Sequence, residues 1–272
     1  MTRRDFIQWG VRGAVALALV DSYCLEPQWI EWNEFSLNSR GDQATPIKVV
    51  QLSDLHIKEV NSSLRESAKK INHQKPDLIC LTGDSVDRAK YLPVLEEYMG
   101  LIDRSIAKFA ILGNWEYWGG INLSELQKIY EKHNCSLLVN DCAGCSINGK
   151  KILVTGVDDF VGGDANLKVA LKNFHANDFH IVLNHCPEYR NFMLNRLPDD
   201  PWMDLVLSGH THGGQIDFLG FIPLLPPGSG RYIKGWYREA YPHMYVSRGI
   251  GLSVLPVRFG CRPEISTFHL NV

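Results

Sequence analysis

The chain has 272 residues, 45% hydrophobic and 21% charged, enough apolar material for one large α/β domain or two small ones. A net charge of −2 leaves no basic footprint for duplex nucleic acid, so no nucleic-acid partner is expected. Seven cysteines form no zinc-ribbon spacing, and the lone C-x-x-C of Cys142 and Cys145, in "NDCAGCSINGK", reads as unpaired thiols or a surface disulfide before a metal or redox pair.

Residues 1–25 differ from the remainder. "TRRDFIQWG" carries Arg3 and Arg4 and is followed by the apolar run "AVALALV". A charged start before such a run resembles a twin-arginine export signal. The run is shorter than the roughly 20 residues that span a bilayer, and "DSYCLEP" follows without an A-x-A cleavage site. The segment is therefore expected to act as a signal or membrane-surface anchor of an exported or inner-membrane-associated protein of the periplasm or cell envelope, with the cytoplasmic membrane surface as the fallback. An amphipathic helix on a cytoplasmic protein is the alternative. Cys24 follows no lipobox.

From Ile47 the chain alternates β-type runs with helix-length segments. "IKVVQLSD" is followed by "SSLRESAKKINHQ", whose apolar spacing is helical and which Ser62 or Ser63 would cap. "DLICLTGD", the helical "YLPVLEEYMGLID" and "KFAILGN" come next, and then "WEYWGG", with Trp115, Glu116 and Trp118. "CSINGKKILVTGVDD" reads as a hairpin turning at Asn148-Gly149. "HIVLNH" and "DLVLSGH" are two more strands, "LGFIPLLPPGSGRY" is a long loop over one end of the sheets, and "HMYVSRGIG" and "EISTFHL" close the chain as strands. Strands alternating with helices imply βαβ units and largely parallel sheet in one α/β domain, residues 40–272.

The strands share an ending. Asp54 and His56, Asp84, Asn114, His185, and His210 with His212 each follow a strand, where ligands of open α/β sheets collect. Imidazole, carboxylate and amide oxygen without thiolate suit divalent Mn, Zn, Fe, Co or Ni. Seven side chains are too many for one tetrahedral ion and suit two ions sharing a carboxylate.

In this order, "D-x-H", "G-D-x-x-D", "G-N-x-E", "N-H" and "G-H-x-H" resemble the calcineurin-like metallophosphoesterase superfamily; "GHTHGGQ" and "SRGIG…PVRFGCRPEI" resemble its bacterial YkuE/YaeI-like branch of phosphodiesterases. The resemblance covers about Ile47 to Gln215. It implies a βαβ sandwich of two mixed sheets flanked by helices, with a dinuclear metal site at the strand C-terminal ends. It assigns Asp54, His56 and His212 to one ion, Asn114, His185 and His210 to the other, and Asp84 as the bridge. Asp87 would orient a ligand from behind. The implied activity is a metal-dependent phosphoesterase, a phosphodiesterase or diphosphatase using a metal-bridging hydroxide for in-line attack. Asp84, Asn114, His185 and Glu116 are its candidate catalytic residues.

The family usually has histidine after "G-N", its proton donor to the leaving group, where this chain has Trp115. Tryptophan cannot supply that proton, so an activated ester or diphosphate is expected as substrate, with Glu116 free to hold a ligand histidine or a water. Trp115 and Trp118 either pack against loops or form a substrate-facing wall. Aromatic and apolar loops beside an N-terminal anchor suit a lipid-linked substrate at a bilayer surface; relatives of this kind include UDP-2,3-diacylglucosamine diphosphatases. Arg231, Arg248, Arg258 and Arg262 are candidates for phosphate contacts, and His243 for a replacement proton donor. The competing reading is a non-catalytic metal-binding scaffold of the same fold on the cell envelope. A nuclease is disfavoured by the missing basic stripe.

Overall fold

The structure is a computed structural model describing residues 2–38, 46–195 and 201–272. Twelve strands run in chain order among these residues. They are β1 (Glu31–Asn38), β2 (Pro46–Leu52), β3 (Leu78–Thr82), β4 (Ala107–Ile111), β5 (Cys135–Leu137) and β6 (Asp141–Ile147), then β7 (Lys150–Gly156), β8 (Phe179–Leu183), β9 (Leu205–Ser208), β10 (Gly235–Tyr237), β11 (His243–Val246) and β12 (Glu264–Asn271). They form two six-stranded mixed sheets, ordered β1-β12-β2-β3-β4-β5 and β10-β11-β9-β8-β7-β6. In the first, β2 through β5 are parallel and β12 runs against β2. In the second, β7, β8, β9 and β11 are parallel, with antiparallel β6 and β10 at the edges.

The apolar pattern sets the layering. The largely buried runs of β2, β3 and β4 put Val49, Cys80 and Ile111 between the sheets, against Val154, Ile181 and Leu207 of the second. Their alternate residues, Val50, Ile79 and Ala110, face outward under three helices, α2 (Ser62–Gln74), α3 (Leu92–Leu101) and, beyond the short α4 (Asn114–Trp118), α5 (Leu123–Lys132). Both faces of each parallel strand are thus covered, which explains runs too apolar to alternate. At the edge where the strands end, Gln51 Nε2 donates to Ser208 O (2.9 Å) and Thr82 Oγ1 (3.0 Å), tying the sheets together beside the site.

Several expectations need adjustment. The first long helix has the expected bounds, but Asn61 caps it, its Oδ1 accepting from Leu64 N, rather than Ser62 or Ser63. The hairpin turns at Asn148-Gly149, both with positive φ. The expected start at residue 40 lies outside the described residues, and strand β1, ahead of it, already pairs in parallel with β12 from Glu31↔Glu264 onward. Helix α5 and strands β5 and β10 join the expected elements. All seven cysteines are free. Cys142 is buried and Cys145 half-buried on the same strand, three residues apart, so their side chains leave opposite faces of the sheet and cannot pair.

The N-terminal helix, α1 (Arg3–Val20), buries none of its residues and exposes Phe6, Trp9 and Leu17. Among the described residues no helix is long and apolar enough to cross a membrane.

Candidate metal centre

Parallel pairing brings the strand ends to one edge. β2 delivers Asp54 and His56, β3 delivers Asp84, β4 delivers Asn114, β8 delivers His185, and β9 delivers His210 and His212. All seven are buried. Asp54, His56, Asp84 and His212 bring one ligand-type atom each within 4.8 Å of one another, and Asp84, His185 and His210 form a second such group. One atom links them: Asp84 Oδ2 lies 3.5 Å from His56 Nε2 and 3.3 Å from His185 Nε2. Asn114 Oδ1 completes the second group, 2.9 Å from His210 Nδ1 and 3.3 Å from His185 Nε2.

The backbone is bent to make this possible. Asp54, His56, Asp84, His210 and His212, five of the seven, have φ between 40° and 72°. Non-glycine residues held there cost about 1–3 kcal/mol each, and such positions cluster at functional sites. The motif glycines permit the close approach. A Cβ on Gly113 would stand 2.3 Å from Asp84 Oδ1, and one on Gly209 would stand 2.0 Å from Ser53 Oγ and 2.3 Å from Asp54 Oδ2.

Hydrogen bonds at the outer ring nitrogens decide which inner ones carry lone pairs. His185 Nδ1 donates to Thr82 O (2.7 Å), His210 Nε2 to Pro227 O (2.7 Å), and His56 Nδ1 to the Asp87 carboxylate. His185 Nε2 and His210 Nδ1, the ring nitrogens left facing the site, stand 3.3 Å apart, and Asn114 Oδ1 completes a triangle with them at 3.3 and 2.9 Å. A divalent cation is the group that such a donor set fits, and the outer partners orient each imidazole as metal-binding histidines are oriented.

Burial would lower the His56 and His185 imidazoles, but the Asp87 carboxylate bonded to His56 and the Asp84 carboxylate facing His185 outweigh it and raise both. Burial would raise the Asp84 carboxyl, but the His185 and His56 imidazoles outweigh it and hold it well below the carboxylate range. Burial, the His56 charge and the Arg258 guanidinium depress His212. Burial and the Asp84 charge push Glu116 up to about 7, against the pull of the amides around it.

Glu116 does not hold a ligand histidine. Its carboxylate accepts from the backbone N–H groups of Gly113 (2.8 Å), Asp84 (3.1 Å), Ser85 (2.6 Å) and Val86 (3.3 Å), so it fixes the two loops that carry Asp84 and Asn114. Trp115 and Trp118 do not pack away. They form one wall of a cavity of about 380 Å³ whose floor includes Asp84, Asn114 and His212 and whose far wall is Pro223–Pro227 with Val254 and Leu255. The expected loop over the sheet end is this wall, and its Pro227 carbonyl orients His210.

The four arginines serve the protein itself. Arg231 pairs with Glu239, Arg248 with Glu31 and Glu264, and Arg262 with Glu31. Arg258 is fully buried, donating to the carbonyls of Arg248, Gly249, Gly251 and Cys261, with Nη2 3.5 Å from His212 Nδ1. His243 opens β11 at the end remote from the site and stacks on Tyr241, so it cannot replace the missing proton donor. Sequence reasoning missed the backbone carbonyls of Thr82 and Pro227, which carry no residue signature, and the Val254–Leu255 wall, whose small apolar segment resembles any loop.

The calcineurin-like phosphoesterase family profile matches residues 47–214, which span all five motifs. The metallophosphoesterase YkuE of Bacillus subtilis (strain 168) is 31% identical over all of this chain and 98% of its own length. Phosphodiesterase YaeI of Escherichia coli (strain K12) is 31% identical over 99% of each. Among solved structures, the 5′-nucleotidase precursor from Thermus thermophilus aligns with a TM-score of 0.48 at 13% identity, covering 84% of this chain and 55% of its own. With the motif residues gathered at one sheet edge and the family profile spanning them, the chain belongs to the calcineurin-like phosphoesterase family and is a hydrolase of phosphoric esters.

Proposed function

We propose that the chain is a two-metal phosphodiesterase or diphosphatase acting on a lipid-linked substrate at the cell envelope. The observation that carries the reading is the pair of ligand groups that share Asp84. Asp54, His56 and His212 would hold one divalent ion, Asn114, His185 and His210 the other, and Asp84 both. Two such ions, when bound, activate water at neutral pH and neutralise charge on the phosphate oxygens.

The chain's own groups do the positioning. Asp87, Thr82 O and Pro227 O bond the outer ring nitrogens of His56, His185 and His210, so the inner nitrogens are the ones turned toward an ion. Glu116 holds the Asp84 and Asn114 loops at a fixed spacing. Trp115 offers the leaving group an apolar face and no proton, which favours a departing group that is already acidic, such as a phosphate or an aryl oxide. The tryptophans and the Pro223–Pro227 wall bring no charged side chain to the cavity, so the part of the substrate beside them is apolar. The exposed apolar side chains of the N-terminal helix and of Phe218, Leu219 and Phe221 support a membrane surface as the place where such a substrate is met.

The test is hydrolysis by the purified full chain, with and without manganese, on bis-p-nitrophenyl phosphate and UDP-2,3-diacylglucosamine, beside His210→Ala. Manganese-dependent turnover that His210→Ala abolishes, with kcat/KM higher on the lipid diphosphate, is the expected result. Equal or lower kcat/KM on the lipid would remove the lipid-linked reading and keep the phosphodiesterase. No turnover on either would overturn both.

A further inference from the structure

The tryptophan-lined cavity has a neighbour. Ser253 and Val254 border both it and a second cleft of about 450 Å³, whose lining includes His56. Its character is different. One wall carries Lys58, Asn61 and Ser63 from the β2–α2 connection, and the other carries Tyr23 and Gln28 from the N-terminal segment. Leu252, Val254 and Pro256 provide apolar surface in the same cleft.

The hydrogen-bonding capacity there is not matched by free charge. Lys58 Nζ lies 3.4 Å from the Asp87 carboxylate and is partnered by it, and Glu59 adds the opposite sign beside it. Asn61 Oδ1 is engaged by Leu64 N, leaving its amide N–H groups as the donors it can offer. A second phosphate would find no uncommitted cation, whereas an uncharged group with hydroxyl or amide edges and an apolar face would find partners for both.

The N-terminal wall is pinned to the body. Glu26 is buried and accepts from the backbone N–H groups of Gly260 and Cys261, and Ser22 O accepts from Arg258 N at 3.0 Å. Tyr23 therefore stands between two pinned residues, and Gln28 is held through its carbonyl, which accepts from Ser63 Oγ at 2.9 Å.

We propose that the second cleft is a substrate subsite that takes an uncharged, hydrogen-bonding group, a polyol or a nucleoside, on the phosphorus substituent opposite the apolar one, and that Tyr23 and Gln28 help to read it. The inference rests on the phosphodiesterase reading above. It makes the substrate an amphiphile cut where its two halves meet, with residues that follow the N-terminal helix forming part of the site.

The experiment compares three p-nitrophenyl diesters with the manganese-loaded full chain: methyl, glyceryl and thymidine-5′-yl. All release the same aryl group, so only the second substituent varies. One of the two polar esters is expected to exceed the methyl ester in kcat/KM by about tenfold, through KM, as one or two hydrogen bonds supply; which of them leads separates polyol from nucleoside. Tyr23→Ala and Gln28→Ala should each cut that ratio to about threefold or less, while Trp29→Ala, on the same segment but outside the cleft, should keep it. Tyr23 is 55% exposed, so its truncation leaves the core intact. Equal kcat/KM for all three esters, or a ratio that survives both variants, overturns the subsite and leaves the phosphodiesterase standing. No manganese-dependent release from any ester overturns both.

Discussion

Trp115 meets His56 edge to face, with ring centroids 6.0 Å apart and planes at 87°. Its backbone N–H donates to Asp84 Oδ1 at 2.9 Å, and its indole leans on Trp118, centroids 5.7 Å apart. The residue thus serves the cluster twice, holding the shared carboxylate with its backbone and covering a candidate ligand with its ring. What it cannot do is release a proton to a leaving oxygen.

Trp115→His should therefore restore a donor where the chemistry lacks one. General acid help is worth about 10²–10⁴-fold when optimised, so a gain of about tenfold or more is expected on a diester with an alkoxide leaving group. Esters of p-nitrophenol, which leaves unaided, should change by less than about threefold on the same scale. Steady-state rates on the matched pair decide it. A gain confined to the aryl ester would remove the leaving-group argument.

Asp87 sets the direction of His56. Its carboxylate takes the Nδ1 proton and also faces Lys58 Nζ, 3.4 Å from Oδ2. Loss of such a partner typically weakens metal binding about 10–100-fold. Asp87→Ala should show that loss in manganese titrations by calorimetry, with Asp87→Asn in between because its amide oxygen still accepts. Affinity unchanged in both would mean that His56 is oriented by packing alone.

His180 gives the fold a pH dependence separate from the metal centre. It is fully buried on β8, bonded to Thr155 Oγ1 (2.7 Å) and Trp202 O (2.8 Å), and burial pushes it down to about 4. A folded-state value below the unfolded 6.5 means that the unfolded chain takes up the proton first. Its contribution is complete above pH 6.5 and is lost as pH falls toward 4, amounting to about 2–3 kcal/mol. Urea unfolding in chelator, at pH 7.5 and 4.5, should show wild type losing about 2 kcal/mol more than His180→Gln across that interval. Parallel losses in the two proteins would contradict the assignment.

The site was more legible in the sequence than its supports. "D-x-H", "G-D-x-x-D", "G-N-x-E", "N-H" and "G-H-x-H" name every ligand candidate because each follows an apolar strand, and parallel strands end together. The positive φ of Asp54 or His210 is invisible, since it is imposed by neighbours such as Gly249, whose missing Cβ leaves room for Asp54. Glu116 was legible as an acid beside the site but not as the acceptor of four amides, because backbone donors carry no residue code. Strand β1 escaped for another reason. "EWNEFSLN" breaks its polar-apolar alternation at Asn33-Glu34, and its partner β12 begins 233 residues later, a pairing that no local pattern announces. The Asn61 cap was missed by one position, since asparagine and serine cap about equally well.

That late pairing makes the N-terminal segment two parts with opposite sensitivities. Arg3–Val20 buries nothing, whereas Glu26, six residues beyond it, closes two backbone N–H groups of the loop that carries Arg258. Deleting residues 2–20 should leave the melting temperature of the chain within about 2 °C, because it removes no buried contact. Glu26→Ala strands the amides of Gly260 and Cys261 and should cost about 1–3 kcal/mol, or several degrees. Because Arg258 Nη2 approaches His212 Nδ1, the same change should weaken manganese binding, while the deletion should not. Calorimetric scans and manganese titrations of the two variants side by side make the comparison. A deletion that destabilises as much as Glu26→Ala would mean that the helix packs on the body in solution, and the division drawn at Asp21 would be wrong.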